Sequence, residues 1–291
     1  MRKVHPGIRC LFVLPAVLWF CAAIVVPVCM AIHDSFYDWN GITEKVFIGI
    51  ENYKELLGDE IVWKAMGHSL IMAFWCVLFQ LPIGMFFAVI LYNRKLKGRN
   101  FFRTAFFLPV ILSSSLIGIL WGQIFDPNFG MVNGILYQLG IKAQPLWLGD
   151  PKTSLGCVIA VVIWQFIGNY ILIYYMALHN VSEDVIESAM LDGAKPFKMF
   201  FYIQLPLIWP VIRLTLILAT VNSLKYFDLV YIMTGGGPNS SSEVLATYVL
   251  RTAFGSMRYG YGNAVAVVLL FLGVFFIALY NIVLKNREGQ G

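Results

Sequence analysis

Apolar residues along this chain gather in long unbroken runs, with polar residues confined to short clusters between them. A helix rising about 1.5 Å per residue needs about 20 mostly apolar residues to cross about 30 Å of hydrocarbon. Six stretches meet that length: residues 11–32, 69–92, 104–125, 155–178, 210–231 and 264–284. The pattern predicts an all-α integral membrane protein, a single transmembrane domain over residues 1–291, with longer polar segments at 34–68 and 126–154. The first run follows Arg2, Lys3 and Arg9 as a secretory leader would. It outlasts an h-region of about 7–15 residues and no small-residue cleavage site follows, so it is expected to remain as the first span.

Composition agrees with the pattern. Of 291 residues, 59% are hydrophobic and 13% charged, and the mean hydropathy is +0.74. A soluble domain is about 45–50% apolar and about 25% charged, so the excess calls for lipid as solvent. The net charge of +5 matters less than its placement. Arg94, Lys95, Lys97, Arg99 and Arg103 follow the second run with no acid among them, whereas 34–60 carries Asp34, Asp38, Glu44, Glu51, Glu55, Asp59 and Glu60. Lys and Arg in short loops mark the cytoplasmic side. Both termini, with Lys285 and Arg287, and the loop between the fourth and fifth runs are therefore expected inside.

That loop is the most informative stretch. Ser182 is placed as an N-cap, with Glu183 and Asp184 at the positive end of a helix dipole. Gly193 permits a left-handed turn and Pro196 starts a second short helix. The expected product is an amphipathic helix–turn–helix lying along the membrane, a shape suited to docking a partner. Glu187, Ala189, Asp192, Gly193 and Ala194, followed by Ile203, Leu205 and Pro206, resemble the "EAA" loop of ABC importer permeases, with Ser188 in place of the usual Ala. Further strings match in order: Leu14-Pro15 and Asp34 to Trp39, Phe47 to Tyr53, Lys97-Gly98-Arg99 to Leu108-Pro109, Thr234 to Pro238, then Tyr248, Ala253-Phe254 and Gly260-Tyr261-Gly262. The whole chain is similar to the first permease subunit of carbohydrate importers, of the maltose, multiple-sugar or glycerol-phosphate kind.

The resemblance implies a type I ABC importer permease fold with six transmembrane helices and a cytoplasmic coupling helix between the fourth and fifth. It implies a second homologous permease subunit, two cytoplasmic ABC ATPase subunits and an extracytoplasmic sugar-binding protein as partners, in a bacterial or archaeal cell membrane. ATP and Mg would be bound by the ATPase subunits and not by this chain, which would need no cofactor and no metal. Glu187, Ala189, Asp192, Gly193, Ala194 and Pro206 would carry ATPase coupling. No nucleic-acid partner is implied, and membrane lipid is.

Polar side chains inside hydrocarbon mark either a pathway or helix–helix hydrogen bonds. Gln165 and Asn169 share one face of the fourth run, with Tyr170 and Tyr174 nearby; Asn222 and Tyr226 share one face of the fifth, with Ser223 alongside. Chemistry alone leaves both roles open, and the resemblance favours a sugar pathway over Gln165, Asn169, Tyr170, Asn222, Ser223 and Tyr226. Lys225 and Asp228 are spaced to neutralise one another, and Arg213 can snorkel to headgroups. Pro82, Pro109 and Pro210 kink or start helices.

No G-x-x-x-x-G-K-[ST] phosphate loop occurs, since Gly149 to Thr153 lacks the glycine loop. His5, His33, His68 and His179 are isolated, and Cys10, Cys21, Cys29, Cys76 and Cys157 are scattered without metal spacing. No catalytic constellation stands out, so a non-catalytic transport subunit is expected. A stand-alone secondary sugar carrier is the alternative, disfavoured because the apolar centres hold no Asp or Glu for ion coupling.

Overall fold

A computed structural model describes residues 6–93, 96–141 and 144–284, with side chains from residue 12 onward. Arg2, Lys3, His5, Arg94, Lys95, Lys285 and Arg287 fall outside the described residues, as do the side chains of Arg9 and Cys10. Among the described residues five helical segments are long and apolar enough to span a membrane, and a bent helix pair makes six if it is counted as one span. The chain groups into two units, one of residues 1–62 with 248–270 and one of 63–247 with 271–291.

The first unit holds a lipid-compatible helical segment, Phe12–Asp34, with none of its apolar window buried. Asp34 closes it with an ion pair to Lys45 at 2.6 Å. A short antiparallel ribbon pairs Tyr37 with Phe47 and Asp38 with Val46, the only strands among the described residues. Asn52 anchors the ribbon by donating to the Ser35 and Tyr37 carbonyls at 2.8 and 3.0 Å.

Beyond the ribbon, Asp59 accepts from the Ile61 amide at 2.9 Å and caps the helix Glu60–Tyr92. This cap, with Glu60 in the first turn, moves the start of the second span nine residues ahead of the expected 69. The sixth span likewise starts at Tyr259 rather than 264. Both extensions are polar or glycine-rich turns that hydropathy passes over.

Asp59 is also where this unit is tied together. Tyr248 and Tyr261 both donate hydroxyl hydrogen bonds to its carboxylate, Tyr261 at 2.7 Å. Burial pushes the Asp59 carboxyl up, but bonds from Tyr248, Tyr261 and the amides of Ile61 and Val62 outweigh it and hold the group below its ordinary value. A carboxylate so held adds stability above its unfolded pKa and loses it as pH falls through the depressed folded value. Thermal unfolding in detergent is therefore expected at lower temperature as pH is taken from neutral into the acid range. Asp59→Asn should flatten that acid limb; an unchanged acid limb would remove Asp59 from the account.

In the second unit the helix Ser154–His179 is central, with 50% of its apolar window buried against 6% for Tyr259–Leu284. Its Tyr170, Ile171, Tyr174 and Leu178 pack with Leu81, Ala88 and Leu91 of Glu60–Tyr92 and with Ala219. Hydrogen bonds reinforce the packing where lipid offers none: Tyr174 with Thr215 at 2.7 Å, Thr220 with Tyr280 at 3.1 Å, and Gln80 to the Val162 carbonyl at 3.2 Å. Arg213 donates to Asn281 at 2.7 Å, so its role includes a side-chain tie beside any snorkelling.

The third span departs most from expectation. Residues 104–125 do not form one helix: Arg99–Ile111 and Ser114–Ile124 meet at 97°. Pro109 deprives the first helix of an amide donor near its end. Leu112 and Ser113 then turn extended, and Ser113 restarts a helix by accepting from the Leu116 amide at 3.2 Å. The fifth span is broken more gently, into Trp209–Leu224 and Asp228–Thr234.

Candidate functional site

Two features of the second unit answer to the chemistry expected from sequence: a cleft beside the fifth-span break and the loop of residues 182–206. Unwinding at Lys225, Tyr226 and Phe227 opens a cleft of about 370 Å³ lined by these residues with Asp228, Asn222, Ser223, Asn169, Tyr170, Phe166 and Gln80, among others. That volume lies in the usual range of small-ligand sites. Asn169 and Asn222 make no hydrogen bond to protein, so two amides with donor and acceptor capacity face the cleft unspent. Phe166 meets Tyr226 edge-on, their centroids 5.6 Å apart, which gives the cleft an aromatic wall. The Tyr226 hydroxyl faces Ser114 without a hydrogen bond of ordinary geometry.

Of the six pathway candidates, Asn169, Tyr170, Asn222, Ser223 and Tyr226 come together here and Gln165 does not. Gln165 is 1% exposed, and its amide nitrogen donates to the Leu112 carbonyl at 3.3 Å, a group freed by the break in the third span. Lys225 and Asp228 do not pair as their spacing promised. The helix ends at Leu224 and resumes at Asp228, so the register that would have set them face to face is lost. Both line the cleft instead. Gln80 and Phe166 were missed in the sequence. A lone Gln in the second apolar run was the available signal for Gln80, and Phe166 carried none.

The loop folds by local rules. Helix Glu183–Leu191 ends with Asp192, and Gly193 takes φ +78°. The Gly193 amide donates to the Met190 carbonyl and the Ala194 amide to the Ala189 carbonyl, both at 3.0 Å, closing the helix with paired bonds around a left-handed residue. Pro196 opens the next helix at its first position, as expected. The Ser182 side chain makes no capping bond, contrary to expectation, although the helix begins just after it. Its backbone is extended there, and its carbonyl accepts from Ile186. Ala189 and Met199 are buried, whereas Glu187, Asp192, Gly193 and Pro206 are exposed. Met190, Leu191, Phe197 and Tyr202 are exposed as well, at 61, 90, 71 and 75%. Among the described residues no three His, Cys, Asp or Glu side chains converge as a metal site requires.

Residues 80–288 match the family model described as binding-protein-dependent transport system inner membrane component. A probable ABC transporter permease protein, YurN, of Bacillus subtilis is 32% identical over 265 residues, 90% of each chain. The multiple sugar-binding transport system permease protein MsmF of Streptococcus mutans is 33% identical over 255 residues, covering 87% of this chain and 86% of that one. Among solved structures, a chain of a bacterial ABC transporter involved in the import of the acidic polysaccharide alginate superposes with TM-score 0.83 at 22% identity, over 96% of this chain and 95% of that one. The fold is that of an ABC importer permease. A stand-alone secondary carrier finds no support among these relatives.

Proposed function

Because the chain belongs to the binding-protein-dependent transport system inner membrane components, and is thereby a membrane-spanning transport subunit with ATP hydrolysis on a separate subunit, we propose that it passes a sugar or related polyol through the cleft beside Asn169 and Asn222. The observation that carries this reading is the pair of unspent amides set against an aromatic wall. Carbohydrates present hydroxyls to amides and C–H faces to rings, and the cleft offers both kinds of partner. The named sugar-transport role of the Streptococcus mutans relative points the same way.

In this reading the loop from Glu183 to Pro206 is cytoplasmic and meets an ABC ATPase subunit. Its support is the exposure of four large apolar side chains, Met190, Leu191, Phe197 and Tyr202, on a short segment outside the spans. Glu187, Asp192 and Gly193 neighbour those side chains in sequence, Ala189 and Ala194 hold the turn, and Pro206 lies early in the short helix Leu205–Leu207. Closure of the ATPase pair would move the loop and, through helices Ser154–His179 and Trp209–Leu224, both walls of the cleft. A second permease subunit and an extracytoplasmic binding protein complete the importer, with both termini of this chain on the ATP side. The complex of a similar alginate transporter with a ligand-bound periplasmic protein is in keeping with that arrangement.

The test is uptake by the whole importer in proteoliposomes. Asn169→Leu with Asn222→Leu is expected to lower uptake about ten-fold or more, two lost hydrogen bonds at about 1 kcal/mol each. ATPase stimulation by the loaded binding protein should persist. Unchanged uptake would move the pathway elsewhere.

A further inference from the structure

We propose that Arg99 and Arg103, laid over the ring of Tyr175, form a headgroup site for an anionic phospholipid. The two arginines stand i, i+4 on helix Arg99–Ile111, so both guanidiniums project from one face. Their Cζ atoms lie 6.0 and 5.9 Å from the Tyr175 ring centroid. Tyr175 is 5% exposed and backed by His179 with ring centroids 4.4 Å apart, and His179 meets Tyr92 edge-on. The platform is thus fixed by the core, and it gathers two like charges at one place.

A cation–π contact at this distance leaves the donors of a guanidinium free. Among the described residues no carboxylate pairs with Arg99, Arg103 or neighbouring Lys97. The same chain shows what such a fork accepts. Arg258 lies 4.6 Å from the Tyr261 ring centroid, and its two terminal nitrogens donate to the Glu55 carboxylate at 2.7 and 2.6 Å. Arg99 and Arg103 keep a looser contact of the same kind, without the oxyanion. A phosphodiester is the oxyanion that suits a doubled fork.

The rest of the helix selects lipid over a soluble anion. Phe101, Phe102, Leu108 and Ile111 are exposed along it, beginning beside the cations. A molecule with a charged head and acyl chains covers both the cations and the apolar side chains beside them, which free phosphate does not. Basic clusters at the cytoplasmic end of spans draw anionic lipid. Tyr175 lies one turn before the end of helix Ser154–His179, which runs on into the loop of residues 182–206. A bound headgroup would therefore brace the root of that loop. Only the leaflet assignment rests on the proposed cytoplasmic orientation.

The experiment is native mass spectrometry of the purified, delipidated full chain titrated with phosphatidylglycerol or phosphatidylcholine. Phosphatidylglycerol is expected to bind about ten-fold more tightly, Arg99→Gln with Arg103→Gln to lose that preference, and Tyr175→Phe to keep it. Arg103→Lys, an exposed change that keeps the charge and loses the fork, should fall between, and Arg258→Gln should change nothing. Two results would overturn the proposal: a double variant that retains the preference, and displacement of phosphatidylglycerol by inorganic phosphate. The titration needs no ATPase, so its failure and failure of the docking-loop reading are told apart.

Discussion

Gly193→Val is expected to leave a folded permease that imports almost nothing. Gly193 sits at φ +78°, and a Cβ there would meet no atom within 4 Å. The penalty is therefore backbone strain alone, about 1–2 kcal/mol for an ordinary residue and more for a β-branched one. That strain falls on the two hydrogen bonds that set the angle between helix Glu183–Leu191 and the helix opened by Pro196. Exposed apolar residues stand on both sides of the turn, Met190 and Leu191 before it and Phe197 and Tyr202 after it, so a changed angle alters how the two sets are presented. Uptake by the valine importer should fall about ten-fold or more, with weakened ATPase co-purification. Gly193→Asn should keep most activity, because Asn accepts the left-handed region. Equal uptake by the two variants would dissociate turn geometry from coupling.

The largest effect on folding is expected at Gly168. A Cβ there would lie 2.2 Å from the Phe106 carbonyl oxygen and 2.9 Å from its carbon, both backbone atoms with no rotamer to escape into. Helix Arg99–Ile111 must back away from Ser154–His179, and overpacking of this kind costs about 1–3 kcal/mol or more. Gly168→Ala should melt well below the parent in detergent and also impair uptake, since Asn169 moves with the displaced turn. Gly156→Ala on the same helix, where a Cβ meets nothing within 4 Å, should be neutral or gain up to about 1 kcal/mol. Equal melting of the two would mean that the close approach of the helices is absent in solution.

Local rules made much of this legible beforehand. The left-handed Gly193 and the restart at Pro196 each follow from backbone preferences carried by a single residue type, whereas the helix starts at Glu183 without the Ser182 side-chain cap expected of it. The apolar runs located the spans because bilayer thickness sets their length. Hydropathy did not reveal the break at Leu112, since it scores the transfer of side chains and is blind to where helical hydrogen bonds lapse. Pro109 followed by Ser113 was the available hint. The polar residues of the spans were ambiguous for a related reason. An amide such as Gln165 serves a carbonyl, a ligand or another helix equally well, and only the freed carbonyl of Leu112 decides between them.

The bent third span also bears on electrical insulation. Its two arms have 13 and 11 residues, about 20 and 17 Å of helix, and neither reaches across about 30 Å of hydrocarbon. Peptide groups at the corner must be sheltered from acyl chains by protein or by a water-filled vestibule. At Leu112 that shelter comes from within the chain, since Gln165 donates to the freed carbonyl at 3.3 Å. Removing that donor would leave a bare carbonyl at membrane depth, so Gln165 serves the electrical tightness of the corner as well as its shape.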